Sequence, residues 1–373
     1  MSGTYSVGYR YRSEIPAGID FHDIMLMPHA SMVNSRKEVN LLINDSILSH
    51  KPYVPIVAAN MDTIGTFSMA RSLSKHRLIT CIHKHYTADQ WIEFAQSCIQ
   101  DYGPWNQDES NMDNPLWYVV PSFGIKDEDL KKCREILKIT SIRAICIDVA
   151  NAYTEKARQA VKEYRDIIKE TGRHINIVYG NVVSEPYIEY NYDENNQRTV
   201  IWKVGIGSGK QCLTRAKTGI GCPQASAIIK CLGYQGQFDT GEYNRVMSDG
   251  GCRTSGDIVK AFAVGSEYVM IGSMLAGHDE CEGRVFELKG QKMMTHYGMS
   301  SQTAMEKYSG GMKGYRASEG YEALVQYKGS VENTIIDILG GVRSACTYLN
   351  ANSIQGIRGA DFTIVRTPRD NTV

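Results

Sequence analysis

Eight short apolar runs recur along this chain, and each ends in polar residues or glycine. The runs are Val54–Ala59, Leu78–Ile82, Trp117–Val120, Ala144–Ile147, Ile175–Tyr179, Val200–Val204, Val246–Met247 and Tyr268–Ile271. Near-continuous apolarity is typical of strands that are covered on both faces, as in parallel sheets. Most of the stretches between the runs are long enough for crossover helices. The most clearly amphipathic stretches are Phe67–Lys75, Asp127–Leu137, Thr154–Glu170, Ala225–Leu232 and Ser255–Ala263.

This alternation predicts an α/β protein with a closed (β/α)₈ barrel, as a single domain over residues 1–373. The active site of such a barrel lies on the loops that follow the strands. An open doubly wound sheet is the alternative. Such a sheet usually carries a GxGxxG motif after its first strand, and none follows Ala59.

Two segments differ from the regular alternation. Residues 184–199 are mostly polar and predict a loop where a crossover helix is expected. Beyond the eighth run, the pattern predicts a helix at about 330–350, with Ser330 as its N-cap. Gly340 and Gly341 lie inside this helix, so we expect a neighbouring helix or a ligand to approach the backbone closely there.

The charge balance and the cysteines limit the possible partners and compartments. Lys+Arg and Asp+Glu both number 41, and this zero net charge argues against bulk attraction to nucleic acid or to an anionic membrane. No apolar run approaches the roughly 20 residues that cross a bilayer, and the polar N-terminus shows no secretory signal. Ten cysteines occur without CxxC pairs or zinc-like spacing. We therefore expect a reduced, cytoplasmic protein.

The residues after the seventh and eighth runs indicate a phosphorylated ligand. SDGG (248–251) and Gly272-Ser273 offer backbone N–H groups without bulky side chains. Loops at these two positions often bind phosphate in (β/α)₈ barrels. Ordinary glycine-rich turns are the alternative explanation.

A long loop after the sixth run contains the cysteine that we expect to be nucleophilic. Cys212 lies close in sequence to Lys210, Arg215 and Lys217, and cationic surroundings favour a reactive thiolate. Thr214 places a hydroxyl two residues further on. The weaker competitors are the cysteines in other loops, Cys222, Cys252 and Cys281.

A second candidate for covalent chemistry is Lys84, which lies between His83 and His85. A lysine at a strand end could form a Schiff base, as in barrel aldolases. The two histidines would supply only two ligands, which makes a metal site unlikely there. A solvated turn is the default interpretation of this triplet.

Eight longer motifs occur together: FHDIMLMP (21–28), PIVAANMDTIGTF (55–67), IHKHY (82–86), IDVANAY (147–153), GNVV (180–183), KVGIGSGKQCLTR (203–215), TGIGCPQ (218–224) and SDGG (248–251). In this combination the chain resembles the IMP dehydrogenase/GMP reductase family nearly from end to end. Further segments resemble its reductase branch: MIGSMLAGH (270–278), HYGMSSQTAMEKYSGG (296–311), YRASEG (315–320) and DILGGVRSACTY (337–348). The gap between His85 and Trp117 is also too short for the regulatory domain pair that dehydrogenases carry there.

The resemblance implies reductive deamination of GMP by NADPH, which yields IMP and ammonia in purine salvage. It further implies a homotetramer and a mobile flap at about 279–320. One alternative is an IMP dehydrogenase without regulatory domains, which would oxidise IMP with NAD⁺. Another is a purine-nucleotide-binding protein that has lost its activity, an idea suggested by the altered loop around Cys212.

The resemblance also implies residue roles. Cys212 would attack purine C2 and form a thioimidate, while Thr214 and Glu319 would protonate the leaving ammonia. The implied substrate contacts are Asp249, Gly250, Gly251, Gly272, Ser273, Gly298, Met299, Ser300, Arg316, Ala317, Ser318 and Gly320. The implied cofactor contacts are Ser35, Arg36, Lys84, Asp148, Val149, Ala150, Ile206, Gly207, Tyr315, Arg316, Ser344, Ala345, Cys346 and Thr347. The implied K⁺ site comprises Gly207, Gly209, Cys212 and Arg215.

The loop around Cys212 departs from the reductase pattern. That loop usually reads GIGPGSVCTTR, whereas this chain has GIGSGKQCLTR. Lys210 therefore stands where the pattern has serine. We hypothesise that its ammonium partly substitutes for the K⁺ ion. The alternative is a solvated lysine on the outer side of the loop.

Overall fold

A closed barrel of eight parallel strands forms the centre of the protein. The computed structural model describes residues 4–5, 18–103, 111–140, 142–184, 200–233, 245–311 and 317–365. The barrel strands are β1 (Val54–Ala58), β2 (Leu78–Ile82), β3 (Val119–Phe123), β4 (Ala144–Asp148), β5 (Asn176–Val182), β6 (Val200–Val204), β7 (Arg245–Asp249) and β8 (Tyr268–Ile271). Strand β8 pairs with both β7 and β1, which closes the barrel. The predicted (β/α)₈ fold is confirmed.

All eight predicted runs overlap a barrel strand, although several boundaries differ from the prediction, most clearly those of β3, β5 and β7. Strand β3 begins at Val119 rather than Trp117, because the preceding residues form the 3-10 turn Pro115–Tyr118. The Asn114 side chain caps this turn by accepting a hydrogen bond of 3.0 Å from the Leu116 N–H. Strand β7 extends beyond the two apolar residues predicted, because its polar ends Arg245 and Asp249 still pair with neighbouring strands.

Helices surround the barrel in the expected order. They are α1 (Phe67–Ser74), α2 (Ala88–Tyr102), α3 (Asp127–Ile139), α4 (Glu155–Glu170), the short α5 (Thr214–Thr218), α6 (Gln224–Gly233) and α7 (Ser255–Ala263). The five predicted helices are all present, with ends that agree within two residues. Helix α2 was not among them, although Thr87 and Gln90 form a capping box at its start. The predicted loop at 184–199 lies outside the described residues, apart from Ser184.

Two small antiparallel sheets lie outside the barrel. One joins Thr4–Tyr5, Phe362–Ile364 and Ile24–Leu26, and the other joins Val285–Leu288, Gln291–Tyr297 and Glu322–Gln326. The second sheet and helix α8 (Gln302–Ser309) account for much of the predicted flap, and helix α9 (Glu332–Tyr348) follows them. Within the described ranges, the 3-10 turns are Phe21–Asp23, Arg36–Glu38, Pro115–Tyr118, Ser273–Leu275 and Ile354–Ile357. Within the described ranges, no helix has both the length and the apolarity to cross a membrane.

Helix α9 begins at Glu332, two residues after the predicted start, and its N-terminus is capped both locally and from elsewhere in the chain. The Ser330 hydroxyl accepts a hydrogen bond of 3.3 Å from the Glu332 N–H, as an N-cap does. The buried Glu280 carboxylate accepts hydrogen bonds from the Val331 N–H (3.0 Å) and the Ser330 hydroxyl (3.3 Å). A negative charge at this end of a helix is favourable, because the free N–H groups and the helix dipole both attract it.

Substitutions of the two glycines in α9, Gly340 and Gly341, can test how this helix packs against α7. A Cβ atom at Gly341 would lie 2.3 Å from the Ser255 hydroxyl oxygen, whereas a Cβ at Gly340 would meet nothing within 4 Å. We therefore expect Gly341→Ala to lower the free energy of unfolding by about 1–3 kcal/mol through overpacking. The control Gly340→Ala should raise it by up to about 1 kcal/mol. Urea denaturation measures both changes, and equal effects would contradict this packing.

Candidate active site

A cavity of about 300 Å³ lies at the carboxyl ends of the barrel strands. Its wall comes from the loops after most of the strands and from two flap segments, Gly298–Ser300 and Glu319–Gly320. The longest single contribution is Gly205–Cys212, the loop after β6. Polar or glycine residues at or just after the ends of seven of the eight strands therefore face one common space, as expected for this barrel type.

The three residues predicted to be catalytic form one hydrogen-bonded chain at this cavity. The Cys212 thiol lies 3.2 Å from the Thr214 hydroxyl oxygen, and that hydroxyl donates to the Glu319 carboxylate over 2.7 Å. All three residues line the cavity. A proton can therefore pass between the thiol and the carboxylate through one hydroxyl group.

Backbone pairing holds the flap segment against the cysteine loop. The Leu213 N–H donates to the Glu319 carbonyl over 2.6 Å, and the Tyr321 N–H donates to the Gln211 carbonyl over 3.2 Å. Cys212 also forms a bridge with Gly320. These bonds fix the Glu319 carboxylate beside Thr214, although 105 residues separate the two in sequence.

The competing loop cysteines are less suited to act as nucleophiles. Burial raises the pKa of Cys281 to about 11, and it also raises the pKa of Cys222 and, more strongly, that of Cys252. A thiol with a raised pKa has little thiolate at neutral pH. Cys212 is partly exposed at the cavity wall. All ten cysteines are free.

The loop SDGG (248–251), which was predicted to bind phosphate, has a backbone conformation that lets a ligand approach closely. Gly250 and Gly251 have backbone φ values of 90° and 86°, which residues other than glycine rarely adopt. A Cβ atom at Gly250 would also lie 2.6 Å from the Ser208 hydroxyl oxygen. Together with Gly272 and Ser273, these glycines line the cavity. Substitution of either Gly250 or Gly251 would strain the loop.

A buried lysine joins two of the predicted binding residues. Lys203 on β6 is only 2% exposed. Its ammonium lies 3.0 Å from the Asp148 carboxylate and 2.7 Å from that of Asp249, and it donates to the Asn181 side-chain carbonyl over 2.6 Å. Burial alone would raise the pKa of Asp148, but the Lys203 and Lys84 ammoniums hold it well below its usual value. The Asp148 carboxylate is therefore kept ionised, and the Lys203 ammonium bridges it to that of Asp249.

Lys203 was not predicted as a site residue, although the sequence contains a signal for it. It is the one charged residue in an otherwise apolar strand, VIWKV (200–204). A lysine in a fully buried strand is rare unless it is paired, so such a residue indicates buried acidic partners. Gly180 makes room for it, because a Cβ atom there would lie 2.6 Å from the Lys203 Cβ.

Removal of the Lys203 charge is expected to destabilise the fold. Lys203→Met leaves Asp148 and Asp249 without their shared counter-ion, and loss of one partner of a buried ion pair costs about 3–5 kcal/mol. Urea denaturation measures the change. The control is Arg134→Met, which breaks the exposed pair with Glu170 and should cost no more than about 1 kcal/mol. Equal losses in the two variants would contradict the role of Lys203.

The flap is attached to the barrel through Asp62, a carboxylate with no exposed surface. It accepts hydrogen bonds from the hydroxyls of Tyr297 (2.6 Å) and Tyr308 (2.8 Å) and lies 3.3 Å from the Lys307 ammonium. The Asp62 N–H also donates to the Met299 sulfur over 3.4 Å. Met299 lines the main cavity, so this attachment helps to shape the site.

A second cavity of about 420 Å³ adjoins the first and shares part of its wall. The shared residues are Lys84, Ala150, Met299, Ser300 and Glu319. Its opposite wall includes the ring of Tyr308 on α8, which stacks on His85 at a centroid distance of 3.5 Å. Helix α8 was not predicted from the sequence. This cavity has room for a second ring system beside a ligand in the main cavity.

The HKH triplet after β2 is not a solvated turn. His83 is buried, and burial lowers its pKa to about 3, while that of His85 falls to about 4 for the same reason. Among the described residues, no group of three or more His, Cys, Asp or Glu side chains could hold a metal ion. The Lys84 ammonium lies 3.5 Å from the Asp148 carboxylate. The Lys84 side chain also donates to the Asp148 carbonyl over 3.2 Å. The Schiff-base role of Lys84 stays a prediction.

The predicted substrate contacts mostly meet at the main cavity. Those that line it are Asp249, Gly250, Gly251, Gly272, Ser273, Gly298, Met299, Ser300 and Gly320. Ala317 lines the second cavity, and Ser318 instead donates from its hydroxyl to the Gly320 carbonyl over 2.7 Å. Arg316 lies outside the described residues.

The predicted cofactor contacts divide into two groups. Lys84, Asp148, Val149, Ala150, Ile206 and Gly207 line the main cavity. Ser35, Arg36, Ser344, Ala345, Cys346 and Thr347 line neither of the two cavities described so far. Ser344 lies about 18 Å along α9 from the start of that helix at Glu332. Tyr315, like Arg316, lies outside the described residues.

Only some of the residues that were predicted to bind K⁺ lie together at the main cavity. Gly207, Gly209 and Cys212 line the cavity, but Arg215 does not. Its guanidinium pairs with Asp20 at 3.1 Å, and its carbonyl accepts a hydrogen bond from the Gly219 N–H. Among the described residues, the Lys210 ammonium donates to none of these carbonyl oxygens. The geometry thus gives no support to Lys210 as a substitute for the ion.

Comparison with known proteins agrees with this architecture. A family profile for the IMP dehydrogenase / GMP reductase domain matches residues 18–369. GMP reductase 1 of Homo sapiens is 43% identical over 363 residues, which cover 95% of this chain and 97% of that protein. The GMP reductase of Onchocerca volvulus is 44% identical over 342 residues (90% and 88%), and that of Yersinia pestis (strain Pestoides F) is 41% identical over 360 residues (95% and 96%). By these matches across nearly its whole length, the chain belongs to the IMP dehydrogenase/GMP reductase family.

Proposed function

We propose that this protein is a cytoplasmic GMP reductase that converts GMP to IMP and ammonia with NADPH in purine nucleotide salvage. The hydrogen-bonded chain from Cys212 through Thr214 to Glu319 carries this proposal. Reductive deamination needs a nucleophile for C2 and a proton for the leaving amine, and this chain offers both at one cavity wall. The names of the related proteins support the same activity.

In the proposed reaction, the Cys212 thiol passes its proton along Thr214 to Glu319, and the thiolate adds to C2 of the guanine. The amino group on C2 takes up a proton from this relay and leaves as ammonia, so a thioimidate remains. When bound, NADPH supplies the hydride that replaces sulfur at C2. The thiolate then departs and IMP is released. Covalency divides one difficult exchange into two easier steps.

The two adjoining cavities support a dinucleotide beside the purine. The main cavity and the second cavity meet at Glu319 and Lys84, so a ring in one would face a ring in the other. The Lys84 ammonium and the Asp148 carboxylate offer a cation for phosphate and an acceptor for ribose hydroxyls. These residue types fit NADPH, which Lys84, Asp148, Val149 and Ala150 would hold.

A homotetramer is part of the same proposal. The cofactor positions on α9 and at Ser35–Arg36 line neither of these two cavities, so in the tetramer a neighbouring copy of the chain would supply them to the same NADPH. The K⁺ site at Gly207, Gly209, Cys212 and Arg215 also stays a proposal. The Gly209 carbonyl already accepts a hydrogen bond from the Cys212 N–H, so the ion would share that oxygen.

The test is the absorbance of reduced nicotinamide, followed with purified protein in two parallel reactions. One contains GMP and NADPH, and the other contains IMP and NAD⁺. We expect the absorbance to fall in the first reaction and to stay constant in the second. Ammonia and IMP should appear in amounts equal to the NADPH consumed.

Other results would favour the alternatives. A rise in absorbance with IMP and NAD⁺ would assign the protein as an IMP dehydrogenase. No change in either reaction, with GMP binding still measurable by calorimetry, would leave a nucleotide-binding protein without this activity.

A further inference from the structure

A third cavity, of about 590 Å³, opens beside the predicted phosphate loop. It shares Lys210 and Ser273 with the main cavity, and it continues to the first turns of α7 and α9. Its other polar residues include Thr254, Ser255, Asn333 and Thr334. We call this space the basic cavity. None of its residues outside the shared pair was predicted to bind a ligand.

Three cations converge on the basic cavity without carboxylate partners. Lys210, Arg253 and Lys328 all line it, and none of them forms an ion pair among the described residues. Asp337 is the single acidic residue in the described part of its wall, so this lining carries an excess of positive charge. Burial lowers the pKa of Lys328, and the nearby Lys210 ammonium lowers it further. The ammoniums therefore repel each other, and a bound anion would remove this repulsion.

The position of the basic cavity indicates which anion fits. By the proposed function, the 5′-phosphate of GMP lies at Gly250, Gly251, Gly272 and Ser273. Ser273 belongs to both cavities, so a phosphate chain that extends beyond the 5′-phosphate would pass Ser273 and enter the basic cavity. Lys210, the residue that replaces serine in the reductase pattern, lies at this junction.

We propose that the basic cavity is a subsite for a second phosphate group, so that the protein binds guanosine 5′-diphosphate in the same site as GMP. Lys210, Arg253 and Lys328 bind the β-phosphate, while the guanine still faces Cys212. This inference rests on the proposed binding of GMP. The extra negative charge of GDP should make it bind about tenfold more tightly than GMP, since exposed charge pairs contribute several-fold each.

The test compares GDP and GMP binding by calorimetry, without cofactor, in the wild-type protein and in three variants. Arg253→Gln and Lys328→Gln should each weaken GDP binding about two- to fivefold and leave GMP binding unchanged. The matched control is Lys131→Gln, an exposed lysine on α3 that lines none of the three cavities. It should change neither affinity. The preference for GDP should also decrease as salt rises, because ionic strength screens exposed charges.

The outcomes separate this inference from the proposed function. GMP binding with GDP no tighter than GMP would overturn the subsite and leave the reductase proposal intact. Equal losses of GMP and GDP affinity in Arg253→Gln and Lys328→Gln would also overturn it, because those residues would then act on the 5′-phosphate. Absence of GMP binding would overturn both proposals.

Discussion

Replacement of Cys212 with alanine is expected to abolish the reduction of GMP by NADPH while GMP binding is retained. The thiol is the group that would bond to C2, and its loss removes the covalent route altogether. The cavity around it is built by the loop backbone and the flap, so binding should persist. Nicotinamide absorbance measures the activity, and calorimetry measures GMP binding.

Cys222→Ala is the matched control for this variant. Cys222 lies in the same long loop, but it is buried and its pKa is raised, so we expect the variant to keep activity within a few-fold of the wild type. Residual activity of Cys212→Ala comparable to that of Cys222→Ala would contradict covalent catalysis by Cys212. Mass spectrometry of the wild-type protein with GMP should show an adduct that the Cys212→Ala variant lacks.

Glu319→Gln is expected to lower kcat by about 10²–10⁴-fold, the usual contribution of a positioned proton donor. The amide can still accept the hydrogen bond from Thr214, but it cannot take up or return a proton. Little change in KM is therefore expected, since the shape of the cavity is kept. Steady-state kinetics with GMP and NADPH separates the two parameters.

The control for the glutamate variant is Glu306→Gln on helix α8. Glu306 is exposed and accepts a hydrogen bond only from Gln302 among the described residues, so kcat should stay close to that of the wild type. A kcat for Glu319→Gln within tenfold of the wild type would contradict the relay. If kcat/KM fell mainly because KM rose, the result would instead indicate that Glu319 binds the substrate.

The barrel could be predicted because its strands are covered on both faces. Fully buried strands leave apolar runs that can be detected in a single sequence, and all eight runs overlap a strand. The start of β3 was misplaced because Trp117 and Tyr118 are apolar but belong to a capped turn. The approximate span of α9 and a hydrogen bond from Ser330 at its start could be predicted, whereas the second cap from the distant Glu280 could not, because no local pattern reveals it.

The parts of the site whose reactive residues lie close together in sequence could be predicted. The parts that depend on contacts between distant residues were harder to predict. Cys212 and Thr214 are two residues apart, whereas Glu319 was identified only by resemblance, since local sequence cannot bring it to them. Lys203 carried a detectable signal as a lysine inside an apolar strand. The role of Asp62 depends on the distant residues Tyr297 and Tyr308, and no local pattern in the sequence shows these contacts.

The attachment of the flap at Asp62 has a consequence for how ligands enter and leave. Three donors from two flap elements share one carboxylate: Tyr297 on a strand, and Lys307 and Tyr308 on α8. Contacts that share a partner are not independent, so loss of one weakens the positions of the others. We therefore expect any release of the flap to be cooperative and nearly all-or-none. In such a release the strand and α8 would leave the barrel together, and a single barrier would govern access to both adjoining cavities.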